Sequence, residues 1–434
     1  MSLDVDTILR HEAYLAERRA NFESWWQDIA YRVMPSEAQF TTLGPEGERR
    51  TERLFDANAA ICNERFASVM EDLLTPRTQY WHQLRPLDKA LAENQNVKVY
   101  LEEVNQALFT LRYRPSANFA SQKHQGYLSL GAFGNSCLFI DELAGVGPRY
   151  RQVPLREVRW SENHQGLIDT LYRRFPMQAR QALQRFGDRL PQKIRDDAEK
   201  NPYREWEFIH CVRPNEDRVS GRDDHRGMRW ASYYVACEAR QMLEVSGYSS
   251  WPYAIGRYML ASRETYARSP AMTAWSAIMT INEEKKTILR AGQKEVDPPV
   301  LLQEEGVLES FNLRPGALNY GAVSNDGSPL AVPFKSGANV PLGLELMELE
   351  KQQIEDSFLV TVFKVLAENP QMTATQVLEV AQQKGILLAP AMGRQHSEDL
   401  GPLIEREIDI AARNGLLPQM PDELAEAGGA YKIE

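Results

Sequence analysis

Apolar residues recur at three- and four-residue intervals through the first third of the chain. One such stripe is formed by Phe22, Trp25, Trp26, Ile29 and Val33. It predicts a helix from about residue 6 to residue 33, because this spacing places the apolar side chains on one helical face. The same pattern predicts helices over 57–74 and 96–111 and a fourth from 116 toward 131. We therefore expect the amino-terminal part of the chain to be mainly helical.

Alternating and β-branched residues replace this pattern after residue 131. Short strands of a small sheet and of later β-rich segments are predicted over 135–142, 149–175, 205–214 and 229–248. Helical spacing in this part is confined to 177–186 and 192–200. The segment 161–166 has the composition of a turn, and 215–227 is a polar loop that contains glycine. Such a loop is expected to be exposed.

The carboxy-terminal third begins with a long helix, predicted over 270–294. Proline is tolerated in the first turn of a helix because an N–H group at that position would have no hydrogen-bond partner within the helix. Residues 300–343 contain so many glycines and prolines that only strands and loops are expected there. Three helices are predicted to follow, over 344–366, 373–385 and 397–414. Thr373 and Gln376 would form a capping box at the start of the second.

Size and charge restrict the kinds of protein that fit. The 434 residues are enough for two or three domains with a sizeable core. With 60 acidic and 50 basic residues, the net charge is −10, which argues against tight binding of nucleic acid through its phosphates. No signal-peptide core and no apolar run of about 18 residues is present. We expect a soluble protein that is made in the cytoplasm and has no membrane partner.

Catalytic and metal-binding patterns are absent from the sequence. There is no Walker-type, GxGxxG, GxSxG or HExxH motif, and the four cysteines contain no CxxC pair. Asp223, Asp224 and His225 lie together in the polar loop, where solvated surface is favoured over metal ligation. His210 is expected to be packed or exposed at a strand edge rather than catalytic, and Asp56 is expected to cap a helix. We therefore predict no catalytic residue, no metal and no cofactor.

Aromatic and basic residues each allow two interpretations. Trp25, Trp26, Trp81, Trp160 and Trp275 could stack on bases, but a role in the core or in a subunit interface is favoured. The helix predicted over 270–294 carries one basic cluster, formed by Lys285, Lys286, Arg290 and Lys294. It is either a solvated face balanced by Glu283 and Glu284 or a set of side chains beside a DNA channel.

Ordered segments over nearly the whole chain carry a family resemblance. They include LFDANAAICNERFASVMEDLL, VPLREVRWSENHQGLIDTLYRRF, YARSPAMTA, LRPGALNY, MTATQVLEVAQQKGILLAP and PLIEREIDIAARNGLLP. In this order they resemble the head-to-tail connector, or portal, proteins of short-tailed bacteriophages. Ala267 departs from the family, which usually has glycine there, and its methyl group restricts positive φ. Family members also continue past YKIE toward a crown, so we expect a short or truncated crown.

The resemblance implies an α+β, mainly helical portal fold that assembles as a ring, usually of twelve subunits. Its divisions would be a wing (1–176), a first stem helix region (177–204), a clip (205–265), a second stem helix (266–297), wing strands with a channel loop (298–343), and a wing helix with the start of a crown (344–434).

Two sets of site residues follow from this resemblance. The channel candidates are Lys285, Lys286, Arg290, Lys294, Asn325, Asp326 and Lys335. The candidates for docking through the clip loop are Arg218, Arg222, Asp223, Asp224 and Arg226. Twelve copies would carry a charge of about −120, so duplex DNA would be repelled on average by the ring. DNA binding by the ring should be weak and sensitive to salt.

The function implied by the resemblance is a channel for DNA packaging and ejection at one capsid vertex of the virion. The implied partners are further copies of the chain, terminase, the major capsid and scaffolding proteins, tail adaptors and the passing double-stranded DNA. Three alternatives remain open: a head-tail adaptor or neck ring, a metal-dependent DNA-processing enzyme that would need clustered carboxylates, and a monomeric scaffold without a channel.

Overall fold

The computed structural model describes residues 4–88, 91–222, 224–302, 312, 314–324, 326–334, 337, 340–360, 392–426 and 431–433. The helix predicted over 373–385, with its capping box, lies outside these residues. The site candidates Asp223, Asn325 and Lys335 lie outside them as well. No helix within the described ranges has the length and apolar character needed to cross a membrane.

Four helices build the amino-terminal part, where the apolar spacing predicts them. They are α1 (Val5–Val33), α2 (Asn58–Leu74), α3 (Gln95–Arg112) and α4 (Phe119–Phe133), with the short strand β1 (Leu84–Pro86) before α3. Trp26 and Ile29 are fully buried, so the predicted stripe of α1 faces the core. The N-cap of α2 is Ala57, without a side-chain cap, so the predicted cap Asp56 lies one residue too early. Its Oδ1 accepts the amide of Asn58 at 2.8 Å and holds the turn that leads into the helix.

Two antiparallel sheets follow α4. The smaller consists of β2 (Asn135–Leu143), β3 (Gly147–Gln152) and, later in the chain, β9 (Tyr253–Arg257), in the order β3-β2-β9. The larger consists of β4 (Val158–Glu162), β5 (Ile168–Gln178), β6 (Glu205–Pro214), β7 (Trp230–Ala236) and β8 (Gln241–Tyr248), in sequential order. The predicted strands are therefore present, but they belong to two sheets.

The larger sheet continues across two predicted domain borders. Strands β5 and β6 pair from Leu171–Val212 to Gln178–Glu205. Between them the chain leaves the sheet, forms α5 (Ala179–Phe186) and α6 (Gln192–Lys200), and returns to it. The borders predicted at residues 176 and 204 thus coincide with the two ends of this excursion. The division into wing, stem and clip stays a prediction.

Both faces of the larger sheet are covered by helices. On one face Phe186 of α5 packs with Phe208 of β6. On the other face Ile8 of α1 packs with Ile209, the next residue of the same strand. Successive side chains of a strand point to opposite faces, and Phe208 and Ile209 are both apolar because both are buried.

A polar clamp precedes the long helix. The side-chain amide of Asn135 donates to the carbonyl of Ala267 and accepts its amide, both at 3.0 Å. Ala267 is buried and its φ is not positive, so alanine fits here without left-handed strain. Ser269 then caps α7 (Pro270–Thr273), and α8 (Trp275–Val296) follows. The predicted helix is confirmed as these two consecutive helices.

The remaining elements fall into two groups, one beside this helix and one beside α3 and the smaller sheet. They are β10 (Val300–Leu302), β11 (Ala331–Pro333), α9 (Val340–Ser357), a π-helical turn (Gln395–Leu400), α10 (Gly401–Arg413), α11 (Asp422–Glu426) and β12 (Tyr431–Ile433). Strand β10 pairs with β11 and β12 with β1, and α9 packs on α8. The described residues thus form a mixed helix and sheet fold, as predicted, with more residues in helices than in strands.

Candidate channel helix and docking surfaces

Helix α8 is anchored at its start and exposed toward its end. Ile278 and Ile281 are buried in the main core. Asn282 Oδ1 accepts the amide of Phe55 at 3.0 Å, which joins α8 to the segment before α2. From Glu283 onward no residue of α8 is fully buried. The second half of the helix therefore packs on α9 along one side and keeps its other side open to solvent.

Three of the four predicted channel cations of α8 form one row. Lys286, Arg290 and Lys294 recur every fourth residue, so they lie on one side of the helix over about 12 Å. Lys286 Nζ lies 3.4 Å from the carboxylate of Glu283. Arg290 and Lys294 are exposed and form no ion pair with any residue that the structure describes. Lys285 is half-buried and lies outside this row.

The acidic neighbours of α8 do not neutralise the whole row. Glu284 lies near Glu350 of α9, and burial together with that second carboxylate raises the pKa of Glu284. The interpretation of the basic cluster as a solvated face balanced by nearby acidic residues therefore holds for Lys286. It does not hold for Arg290 or Lys294. Unpaired cations on an acidic chain can offset local repulsion of a DNA backbone, so these two residues are the best channel candidates among the described ones.

The breaker-rich segment begins where the basic row ends. The pairing of β10 with β11 brings Val300 beside Pro333, so this segment leaves and returns close to the end of α8. Asp326 is exposed and its Oδ1 accepts the hydroxyl of Ser328 at 2.8 Å. This hydrogen bond lowers the pKa of the Asp326 carboxyl. The carboxylate thus closes a local turn and remains charged.

The polar loop between β6 and β7 is held by its own hydrogen bonds. Asn215 Nδ2 donates to the carbonyl oxygens of His225 and Met228 at 3.1 and 2.9 Å. Arg218 Nε donates to the carbonyl of Gly227 at 3.1 Å. The loop therefore keeps a defined shape although it is exposed, as a docking surface requires.

The charged docking candidates are paired within the loop. Arg222 Nη2 donates to Asp224 Oδ2 at 2.6 Å, and this guanidinium lowers the pKa of the Asp224 carboxyl. Asp224 also accepts the amide of Arg226 at 3.1 Å. Within the described ranges no three His, Cys, Asp or Glu side chains are placed to hold a metal ion. Asp224 acts here as the partner of an arginine.

The other polar and aromatic candidates are packed, as predicted. His210 lies within hydrogen-bonding distance of the hydroxyls of Tyr253 and Ser232, at 2.8 and 3.0 Å. Burial lowers the pKa of its imidazole well below the ordinary value. Trp26 and Trp160 are fully buried, and the other three candidate tryptophans pack against the same core. These side chains stabilise the fold.

Two surface features escaped the sequence-based reasoning. A cleft of about 520 Å³ is lined by residues of α1, the β4–β5 turn and the segments 257–266 and 394–398. These segments are remote in sequence, so no local pattern could reveal the cleft. Helix α9 exposes Leu344, Leu346 and Leu349. The run LELMELE was an available signal, because its leucines cannot all lie on one packed face.

The described residues combine a mixed helix and sheet fold with two surfaces that are open to other molecules, the cation row of α8 and the polar loop between β6 and β7. The chain matches the bacteriophage head to tail connecting protein family over residues 5–434. It is 26% identical over 427 residues to the portal protein of Salmonella phage epsilon15, covering 96% of this chain and 76% of that protein. The probable portal protein of Bordetella phage BPP-1 is 27% identical over 427 residues, with 96% and 76% covered.

The chain therefore belongs to the bacteriophage head to tail connecting proteins. This membership confirms the resemblance seen in the sequence. Because the family is structural, it also confirms the prediction that the chain is not an enzyme.

Proposed function

We propose that this chain is the portal protein of a tailed bacteriophage. Its copies form a ring, of twelve subunits in our proposal, at one vertex of the capsid, and double-stranded DNA passes through that ring during packaging and ejection. The observation that carries the proposal is the match to the connecting-protein family over residues 5–434. The similarity to two portal proteins over 76% of their length favours a portal over a shorter neck adaptor.

The proposed partners follow from this position in the virion. Terminase and tail adaptors dock on the clip loop, through the candidates Arg218, Arg222, Asp223, Asp224 and Arg226. The hydrogen bonds of Asn215 support this role, because a loop that is already ordered loses little entropy on binding. The major capsid and scaffolding proteins surround the ring, which is assembled after synthesis in the host cytoplasm.

The proposed channel wall includes the second half of α8. Arg290 and Lys294 are its exposed and unpaired cations within the described ranges, and the breaker-rich segment that follows α8 would narrow the channel. With a net charge of −10 per copy, the ring repels DNA on average, and the few cations of the channel wall offset that repulsion locally. Weak contact allows DNA to move, whereas tight binding would stop it.

Duplex binding at several salt concentrations tests the channel. The variant Arg290→Gln with Lys294→Gln should bind more weakly, and the slope of log affinity against log salt should fall by about 0.9 for each phosphate that the variant no longer neutralises. The matched control is Lys98→Gln with Lys200→Gln, which removes two exposed lysines from α3 and α6 and should leave the slope unchanged. Equal slopes for both variants, or nanomolar binding at physiological salt, would contradict the proposed channel.

A further inference from the structure

We infer that α9 of one copy docks into the cleft beside α1 of the next copy and forms one of the contacts that close the ring. The inference rests on the proposed function, since it assumes a ring of identical chains, and it deepens that function by naming the two surfaces. A ring built by rotation needs two different patches on each copy, and these patches must fit each other.

Five apolar residues form the floor of the cleft, namely Phe22 of α1, Trp160 of β4, Tyr266, Leu15 and Leu260. Trp160, Tyr266 and Leu15 are already buried within the chain, so Phe22 and Leu260 are the floor residues that remain partly open to solvent. Trp160 and Tyr266 pack on each other with their ring centroids 4.6 Å apart. A volume of about 520 Å³ accommodates two or three aliphatic side chains of a partner. Filling it would remove apolar surface from water.

The acidic residues of the cleft are already neutralised within the chain. Arg257 is almost fully buried and pairs with both Glu162 and Glu398. Glu264 pairs with Arg268 at 2.6 Å. The carboxylates at the cleft therefore have internal partners, and they do not determine which charge it attracts.

Two arginines at the rim have no such partner. Arg18 and Arg263 are exposed, and neither forms an ion pair with a described residue. Arg263 also has φ +68°, a left-handed conformation that non-glycine residues rarely adopt. The rim is therefore positively charged above an apolar floor, and the chemistry that it fits is an apolar segment flanked by carboxylates.

Helix α9 of the same chain has this chemistry. Leu346 and Leu349 are 46% and 57% exposed, although Met347 of the same turn is buried against α8. Glu345 and Glu348 lie beside the exposed leucines and are themselves exposed. Glu345 forms no ion pair with any described residue, and Glu348 has only Lys351 at 3.3 Å. An exposed apolar helix face of this kind usually marks an interaction surface.

A second copy of the chain fits the cleft better than a phosphate group does. Phosphate would satisfy Arg18 and Arg263 but would leave the partly open side chains of Phe22 and Leu260 in contact with water. The helix satisfies both parts, because its leucines match the floor and its glutamates match the rim. Like charges brought together at such a contact oppose binding, so reversing the charges of either surface should separate the copies.

Charge reversal with mixing tests this pairing. The cleft variant carries Arg18→Glu with Arg263→Glu, and the helix variant carries Glu345→Arg with Glu348→Arg. Each variant alone should need a protein concentration at least roughly tenfold higher to form rings than the unchanged chain does. Mixed in equal amounts, they should form rings again, because an alternating arrangement places opposite charges at every contact. Ring formation is measured by electron microscopy and sedimentation.

Each outcome gives a clear decision. Rings from both variants alone, or no rings in the mixture while each variant keeps the melting temperature of the unchanged chain, would overturn the inference and leave the proposed function intact. No rings from the unchanged chain would overturn both. A cleft variant that still forms rings but loses duplex binding would show a phosphate site and would also overturn it. Leu346→Ser should prevent rings in every mixture, whereas Val99→Ser, at an exposed apolar position of α3 outside the cleft and outside α9, should not.

Discussion

Removing the carboxylate of Glu407 should destabilise the fold more than almost any other single change to a polar residue. Arg112 and Glu407 join α3 to α10 with side chains that are 0% and 1% exposed. Their two nitrogen–oxygen contacts measure 2.9 and 2.5 Å. The hydroxyl of Tyr150 donates to the same carboxylate. Glu407→Gln therefore leaves a fully buried guanidinium without its countercharge.

The size of the effect follows from this burial. Breaking a buried ion pair from one side costs about 3–5 kcal/mol, mainly because the remaining charge stays away from water. Glutamine keeps the shape and one acceptor oxygen, so the lower end, about 3 kcal/mol, is expected. The matched control Glu102→Gln changes an exposed carboxylate of α3 and should change the free energy of unfolding by less than about 0.5 kcal/mol.

Urea unfolding followed by tryptophan fluorescence measures this effect. Trp81 is a local reporter, since the guanidinium of Arg112 lies 4.3 Å from the centre of its ring. The double variant Arg112→Met with Glu407→Leu should recover most of the stability that Glu407→Gln removes, because apolar residues of similar volume can replace a buried pair. A decrease below about 1 kcal/mol for Glu407→Gln would refute the reasoning.

Two further predictions concern pH and backbone conformation. Burial and the charge of Arg112 lower the pKa of His82 to about 3, whereas the unfolded chain takes up this proton near pH 6.5. The free energy of unfolding should therefore decrease as the pH falls from 6.5 toward 3, by about 1.4 kcal/mol per pH unit from this group. If His82→Phe showed the same slope of unfolding free energy against pH as the unchanged chain, this prediction would be refuted. Gly134 has φ +76°, and a Cβ there would lie 2.6 Å from the backbone of Arg268, whereas Gly415 has φ +63° and open space. Gly134→Ala should thus lower the melting temperature more than Gly415→Ala, and equal decreases would contradict the structure.

Local spacing was sufficient to place most described elements. The segment 205–214 was predicted as a strand and is strand β6 (Glu205–Pro214), because apolar alternation depends only on neighbouring residues. Which strand pairs with which does not follow from neighbouring residues in the sequence. Strand β6 pairs with β5 across the excursion that holds α5 and α6, and no periodicity indicates that return.

The same limit applies to the candidate surfaces. The row Lys286, Arg290 and Lys294 could be recognised because helix geometry places every fourth residue on one side. The cleft could not, because its rim arginines, Arg18 and Arg263, are 245 positions apart by their numbering. The buried pair of Arg112 and Glu407 spans 295 positions. Contacts of this kind arise only when packed elements meet.

End-on views of the purified chain by electron microscopy test the central claim most directly. We predict closed rings with about twelvefold rotational symmetry and a central opening wide enough for a DNA duplex. Monomers or small compact oligomers alone, at low and at high salt, would contradict it.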